Sequence, residues 1–181
     1  MPSMSHVHWS WLGLAAATLA CASLNGGTTV PSTRPDDFSI TYNWYEGTVP
    51  PPYHYEYMIT IESDGAGLVT YSPDYPGADV PTWTEPFTLD SSQMDALYTQ
   101  LRDLKVFTTA WSEADQVPVG GSHANLTILV DGRTVDIPAF PATATAEAES
   151  AKSAIIAVVP ADIWDRLSAQ RDQYMQDHLA S

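Results

Sequence analysis

The sequence has a single cysteine, Cys21, in 181 residues. With no second thiol there is no internal disulfide, so any stable fold must rest on its apolar core. Basic side chains are scarce as well. Seven Lys and Arg stand against 22 Asp and Glu, a formal net charge of −15. A surface of that sign repels phosphate backbones and argues against nucleic acid as a partner. It argues equally against electrostatic docking onto anionic lipid. No apolar run reaches the roughly 20 residues that cross a bilayer as a helix. Motifs of nucleophilic catalysis are missing too. There is no Gly-x-Ser-x-Gly elbow. "GAG" at 65–67 opens a strand pattern rather than a helix, so it is no phosphate loop. Ser122 and His123 are adjacent, and neighbours in a strand project to opposite faces.

What is present begins with the leader. Met1 to Thr33 carries no Asp, Glu, Lys or Arg, so the whole charge lies beyond it. Trp11 to Ala20, "WLGLAAATLA", has the length of a signal-peptide apolar core, and small residues follow it. The segment before it lacks Lys and Arg, so its positive charge comes from the α-amine with help from His6 and His8. Two processing routes are open. Ala20-Cys21-Ala22 suits an ordinary signal peptidase. "TLAC" resembles the bacterial lipobox, with Thr18 where leucine is usual and Leu19 one place late. The resemblance implies that Cys21 becomes the lipidated first residue. "ASLNGGTTVPSTRP" then reads as a flexible tether. Each buried acyl CH₂ contributes about 0.8 kcal/mol of membrane affinity, and two chains anchor stably. The expected organisation is a signal peptide over 1–21, a linker over 22–37 and a single domain over 38–178.

The first half of that domain alternates with the two-residue period of strands. "FSITYNW" (38–44) places Phe38, Ile40, Tyr42 and Trp44 on one face. The three prolines of "VPPPY" cannot donate to a ladder and mark a connection. "YHYEYMITIES" (53–63) puts Tyr53, Tyr55, Tyr57, Ile59 and Ile61 on one face, with His54, Glu56, Met58, Thr60 and Glu62 on the other. Asp64-Gly65 turns the chain into "GLVTYS" (67–72), and "TWTEPFTL" (82–89) predicts an edge strand because Pro86 removes a donor. A helix follows. Asp90 and Gln93 form a capping pair, and Met94, Leu97, Tyr98, Leu101 and Leu104 form one apolar stripe that needs the aromatic sheet face to cover it. "ANLTILV" (124–130) and "RTVDIP" (133–138) make a second Asp-Gly hairpin. Ala146 to Val159 predicts a helix capped by Thr145. Pro160 ends it or starts another, with Ile163, Trp164, Leu167 and Tyr174 as apolar positions. The order predicts an α+β fold: an antiparallel sheet of about five to six strands with helices on one face.

"YEYMITIESDGAG", "FTLDSSQMDALYTQLRDLKVF" and "GGSHANLTILVDGRTVDIP" together resemble small bacterial envelope domains of unknown function. The resemblance spans roughly residues 38–140 and rests on turns, a cap and a stripe. It implies a fold and an address rather than an activity.

Candidate chemistry is sparse. His54 and Glu56 share a strand face two residues apart, a spacing for two ligands of one metal, with Glu62 or His123 as a possible third. Zinc sites take three or four ligands, so a solvated strand face is the simpler expectation. The acidic stretches "ESDGAG" and "SPDYPGAD" lack calcium-loop spacing and read as turn chemistry. Asn125-Leu126-Thr127 matches a glycosylation sequon but falls in a strand pattern. Among the crowded aromatics, Tyr45, Tyr71, Tyr75 and Trp83 fit the alternating core face least easily. Exposed, they would serve contact with a protein or glycan. The expected protein is a lipid-anchored, non-enzymatic member of the bacterial cell envelope without cofactor, held to the membrane through Cys21. The alternatives are an exported metal-dependent hydrolase using His54 and Glu56, and a secreted or periplasmic inhibitor of a basic enzyme.

Overall fold

The computed structural model describes residues 29–180; Cys21 and the leader lie outside them. Six strands form one antiparallel sheet: β1 Ser39–Tyr45, β2 Glu56–Ile61, β3 Ala66–Ser72, β4 Trp83–Thr88, β5 His123–Val130 and β6 Arg133–Ile137. Three helices complete an α+β domain: α1 Ser91–Asp103, α2 Thr145–Ala157 and α3 Ala161–Ala180. The strand order is β4-β3-β2-β1-β5-β6. The first four strands therefore meander. After α1 the chain adds its second hairpin to the free side of β1, which becomes central.

The turns form where their residues demand. At the β2–β3 turn the Asp64 carboxylate accepts from the Ala66 N–H at 2.9 Å, and Gly65 adopts φ +88°. A Cβ at Gly65 would lie 2.2 Å from the Leu89 carbonyl oxygen, so glycine is required twice over. At the β5–β6 turn Asp131 and Gly132 both have positive φ, as a type I′ hairpin needs. Asp37, from before β1, accepts the N–H groups of Asp131 at 2.8 Å and Gly132 at 2.6 Å. α1 begins with the expected capping box: Asp90 accepts from the Gln93 N–H, and the Gln93 side chain accepts from the Asp90 N–H.

One sheet face meets the helices and holds the core. Ile40, Tyr42, Ile59, Ile61, Val69, Leu126, Ile128 and Ile137 supply it from the strands. Met94, Leu97, Tyr98 and Leu101 of α1 are buried as the stripe predicted, with Tyr98 edge-on to Phe38 at 5.4 Å. α2 presents Ala148, Ala151 and Ala154, small side chains that let it approach closely. α3 buries Ile163 and Leu167. The opposite face carries Thr41, Asn43, Met58, Thr60, Thr70, Asn125 and Thr127.

Several boundaries differ from the sequence expectation. β2 starts at Glu56 instead of residue 53, because the preceding prolines leave the chain turning: the Tyr53 N–H donates to the Pro50 carbonyl. Thr145 is the first residue of α2 rather than its cap. Ala144 holds the cap position in the left-handed conformation, with no side-chain bond. α2 ends at Ala157, and Pro160 stands immediately before α3, its carbonyl accepting from the Ile163 N–H at 3.1 Å. Residues 30–37 lie against the domain, where a flexible tether was expected. Pro31 and Ser32 carbonyls accept from Tyr98 and Arg102, each at 2.7 Å, and Arg34 pairs with Asp95 at 2.7 Å.

Candidate functional site

The sheet's register assembles the aromatic residues in a way that spacing alone does not reveal. Trp44 pairs with Tyr57, Tyr57 with Tyr71, and Tyr71 with Trp83. One aromatic row thus crosses β1, β2, β3 and β4. Its rings stack at centroid distances of 5.2, 6.2 and 5.7 Å, with interplanar angles of 16°, 4° and 17°. Tyr55, just before β2, stacks on Tyr71 and lies tilted against Trp44 at 4.5 Å.

α3 lies over this row. Trp164, Leu167, Ser168 and Arg171 recur at positions three, four and seven apart, so they share one helix face. The Trp164 indole meets Tyr57 edge-on at 5.1 Å. The Arg171 guanidinium lies 4.2 Å from the centroid of the Tyr55 ring, and its Nη2 donates to the Tyr53 carbonyl at 3.1 Å. Arg166 fixes the helix to β4, with two bonds to the Glu85 carboxylate and one to Asp162 at 2.6 Å. Between sheet and helix lies a cavity of about 310 Å³, lined among others by Tyr55, Tyr57, Tyr71, Trp164, Ser168 and Arg171.

Burial holds these phenols in the neutral form. Desolvation pushes the hydroxyls of Tyr57 and Tyr71 well above the ordinary tyrosine range. Tyr42, buried beside them, is pushed up to about 12 by the same cause. Tyr55 rises through desolvation and the charge of Glu46, with Arg171 opposing. The cavity therefore offers hydroxyl donors and acceptors on apolar walls, with one guanidinium. That combination, hydrocarbon surface with few convergent polar groups, suits a small organic ligand.

Two other hollows are less suited. One of about 260 Å³ under α2 is lined by Tyr42, Trp44, His123, Phe140, Glu149 and Lys152. Lys152, only 3% exposed, is held there by the Ala139 carbonyl at 3.2 Å and Glu149 at 3.1 Å, so protein groups already engage its charge. The other, about 340 Å³, lies on the opposite sheet face among Asn43, Tyr45, Glu56, Thr70 and Ser72. No Lys, Arg or His lines it.

The metal candidates are only partly brought together. His54 Nε2 lies 3.7 Å from Glu56 Oε2. His54 is not on a solvated strand face, however. It precedes β2 and is 4% exposed, its ring stacked on Tyr75 at 3.7 Å and 7°. His123 sits on β5, with β1 between it and Glu56, and meets Phe140 edge-on. Glu62 follows the far end of β2. Among the described residues no group of three or more His, Cys, Asp or Glu could hold a metal ion.

Of the aromatics singled out in the sequence, Tyr45 and Tyr75 are exposed, while Tyr71, buried, and Trp83, half-buried, belong to the aromatic row. Tyr53, expected on the core face, is 48% exposed because it lies in the connection before β2. Sequence reasoning missed Ser168 and Arg171. The signal available was their spacing of four and seven from Trp164 along one helix. Neither protein-family models nor curated proteins give a match to this chain.

Proposed function

We propose that this is an exported, lipid-anchored protein of the bacterial cell envelope, resembling envelope domains of unknown function. In this reading its domain binds a small ligand without chemical turnover. The observation that carries the binding role is the cavity beneath α3, lined on the sheet side by stacked tyrosines and on the helix side by Trp164 and Arg171. The address rests on the uncharged leader, its ten-residue apolar run and the lone Cys21 beyond it. No helix among the described residues is long and apolar enough to cross a membrane. In this reading acyl chains on Cys21 supply the attachment.

Both halves of the proposal have a direct test. Mass spectrometry of membrane-extracted protein is expected to find an N-terminus at Cys21 carrying acyl mass. An unmodified chain starting at Ser23 removes the anchor. Trp164 lines the cavity, so a ligand that enters it changes tryptophan emission. Silence across a small-molecule panel removes the binding role.

A second reading has its own observation. Tyr45, Tyr53 and Tyr75 are exposed around the connections flanking β2 and β3, where Tyr makes good contact surface. A protein or glycan partner would dock there, and replacing Tyr53 by Ala would then weaken its capture. The hydrolase reading keeps only the His54–Glu56 pair, one ligand short of a catalytic zinc site.

A further inference from the structure

We infer that the ligand of the α3 cavity is a small carboxylate whose apolar body is the size of a single ring. This rests on the binding role proposed above and names the chemistry of the ligand.

Charge comes first. The protein is strongly acidic, yet the charged side chain that lines this cavity is an arginine. Arg34, Arg102 and Arg166 each pair with a carboxylate. Arg171, like Arg133, forms no ion pair among the described residues; a backbone carbonyl and the Tyr55 face engage it. Glu46 and Asp172 act on Tyr55 and Tyr71 through space and do not line the cavity. A guanidinium held over a ring without its acid has a fork of donors free for a planar, two-oxygen acceptor.

Orphan donors come second. Trp164 Nε1 and Arg171 Nε are both buried, and neither has a hydrogen-bond partner. They stand seven residues apart on the helix face that lines the cavity. Buried donors ordinarily find acceptors, so two orphans on one cavity wall point to an acceptor supplied from outside.

The remaining walls set the body of the ligand. Ile156, Leu167 and the tyrosine rings are apolar, and the volume lies at the lower end of small-molecule sites. A phosphate would need more than one cation to offset its charge in such walls. An amine would meet Arg171 with like charge.

The test uses the full-length protein and three molecules of equal size: phenylacetate, phenylacetamide and phenethylamine. Tryptophan fluorescence and calorimetry are expected to show phenylacetate binding about tenfold tighter than the amide, and the amine weakest. Arg171→Gln should abolish the preference for the acid over the amide. Arg171→Lys should retain part of it. Should Arg171→Gln fail to fold, the comparison on the unaltered protein still decides. Equal binding of acid and amide would overturn the carboxylate assignment and leave the cavity as a binding site. Binding of none of the three at millimolar concentration would overturn both.

Discussion

Asp37 shows how one side chain outside the sheet can set its geometry. Its two oxygens accept from the consecutive N–H groups of the β5–β6 turn, and those bonds, Gly132 first, hold its carboxyl below the ordinary range. A depressed carboxylate contributes stability that is present above its unfolded pKa and lost as pH falls through its folded one. Asp37→Ala should therefore lower stability by about 1 kcal/mol at neutral pH, the small end for a partly solvated charged acceptor. The difference from wild type should shrink progressively in melts taken down through and below the ordinary carboxylate range. Gly67 makes a second residue-scale case. It pairs across the sheet with Phe87, whose ring would lie 2.3 Å from an added Cβ. Gly67→Ala should cost about 1–3 kcal/mol in urea unfolding, because the ring must leave its place over β3. His54 bears on the metal reading. Its burial under Tyr75 means that His54→Ala should lower the melting temperature whether or not metal is present. Zinc analysis of the wild type is the measurement that separates packing from ligation.

At the scale of elements, α3 matters most to the proposed site. It is held to β4 by Arg166, to the β1–β2 connection by Arg171, and to the core by Ile163 and Leu167. The exposed ion pairs contribute little by themselves, so the apolar contacts decide. Leu167 is 1% exposed, and Leu167→Ala should cost about 2–4 kcal/mol. Trp164 emission should shift to the red as the helix loosens over the row. α1 was legible in advance to within a residue: its capping box and stripe are local signals, and both formed as spacing predicts. α2 was less so. Its start, at a left-handed Ala144 without a side-chain cap, follows from how the chain leaves the sheet. No local rule would have placed it there. The start of β2 was misplaced for a related reason. "YHYEYMITIES" alternates from its first residue, but alternation persists into a segment whose prolines keep it from pairing.

Across the whole molecule, charge and core act in opposite directions. A net charge of −15 on one small domain creates self-repulsion, which salt screens within about 10 Å at 0.1 M. Raising ionic strength from a few millimolar to 0.15 M should therefore raise the melting temperature, and calorimetry at constant pH would register it. A fall would mean that the ion pairs of Arg34, Arg102 and Arg166 outweigh the repulsion. By itself the sequence determined the class of fold, both Asp-Gly hairpins, the capping of α1 and which residues alternate toward the core. These depend on neighbours within a few positions, where backbone geometry and side-chain period leave few choices. Only the tertiary structure decided that Trp44, Tyr57, Tyr71 and Trp83 stand in one row, that α3 lies over it, and that His54 is buried. Register and helix placement depend on which apolar faces cover each other across scores of intervening residues, and that choice leaves no periodic trace along the chain.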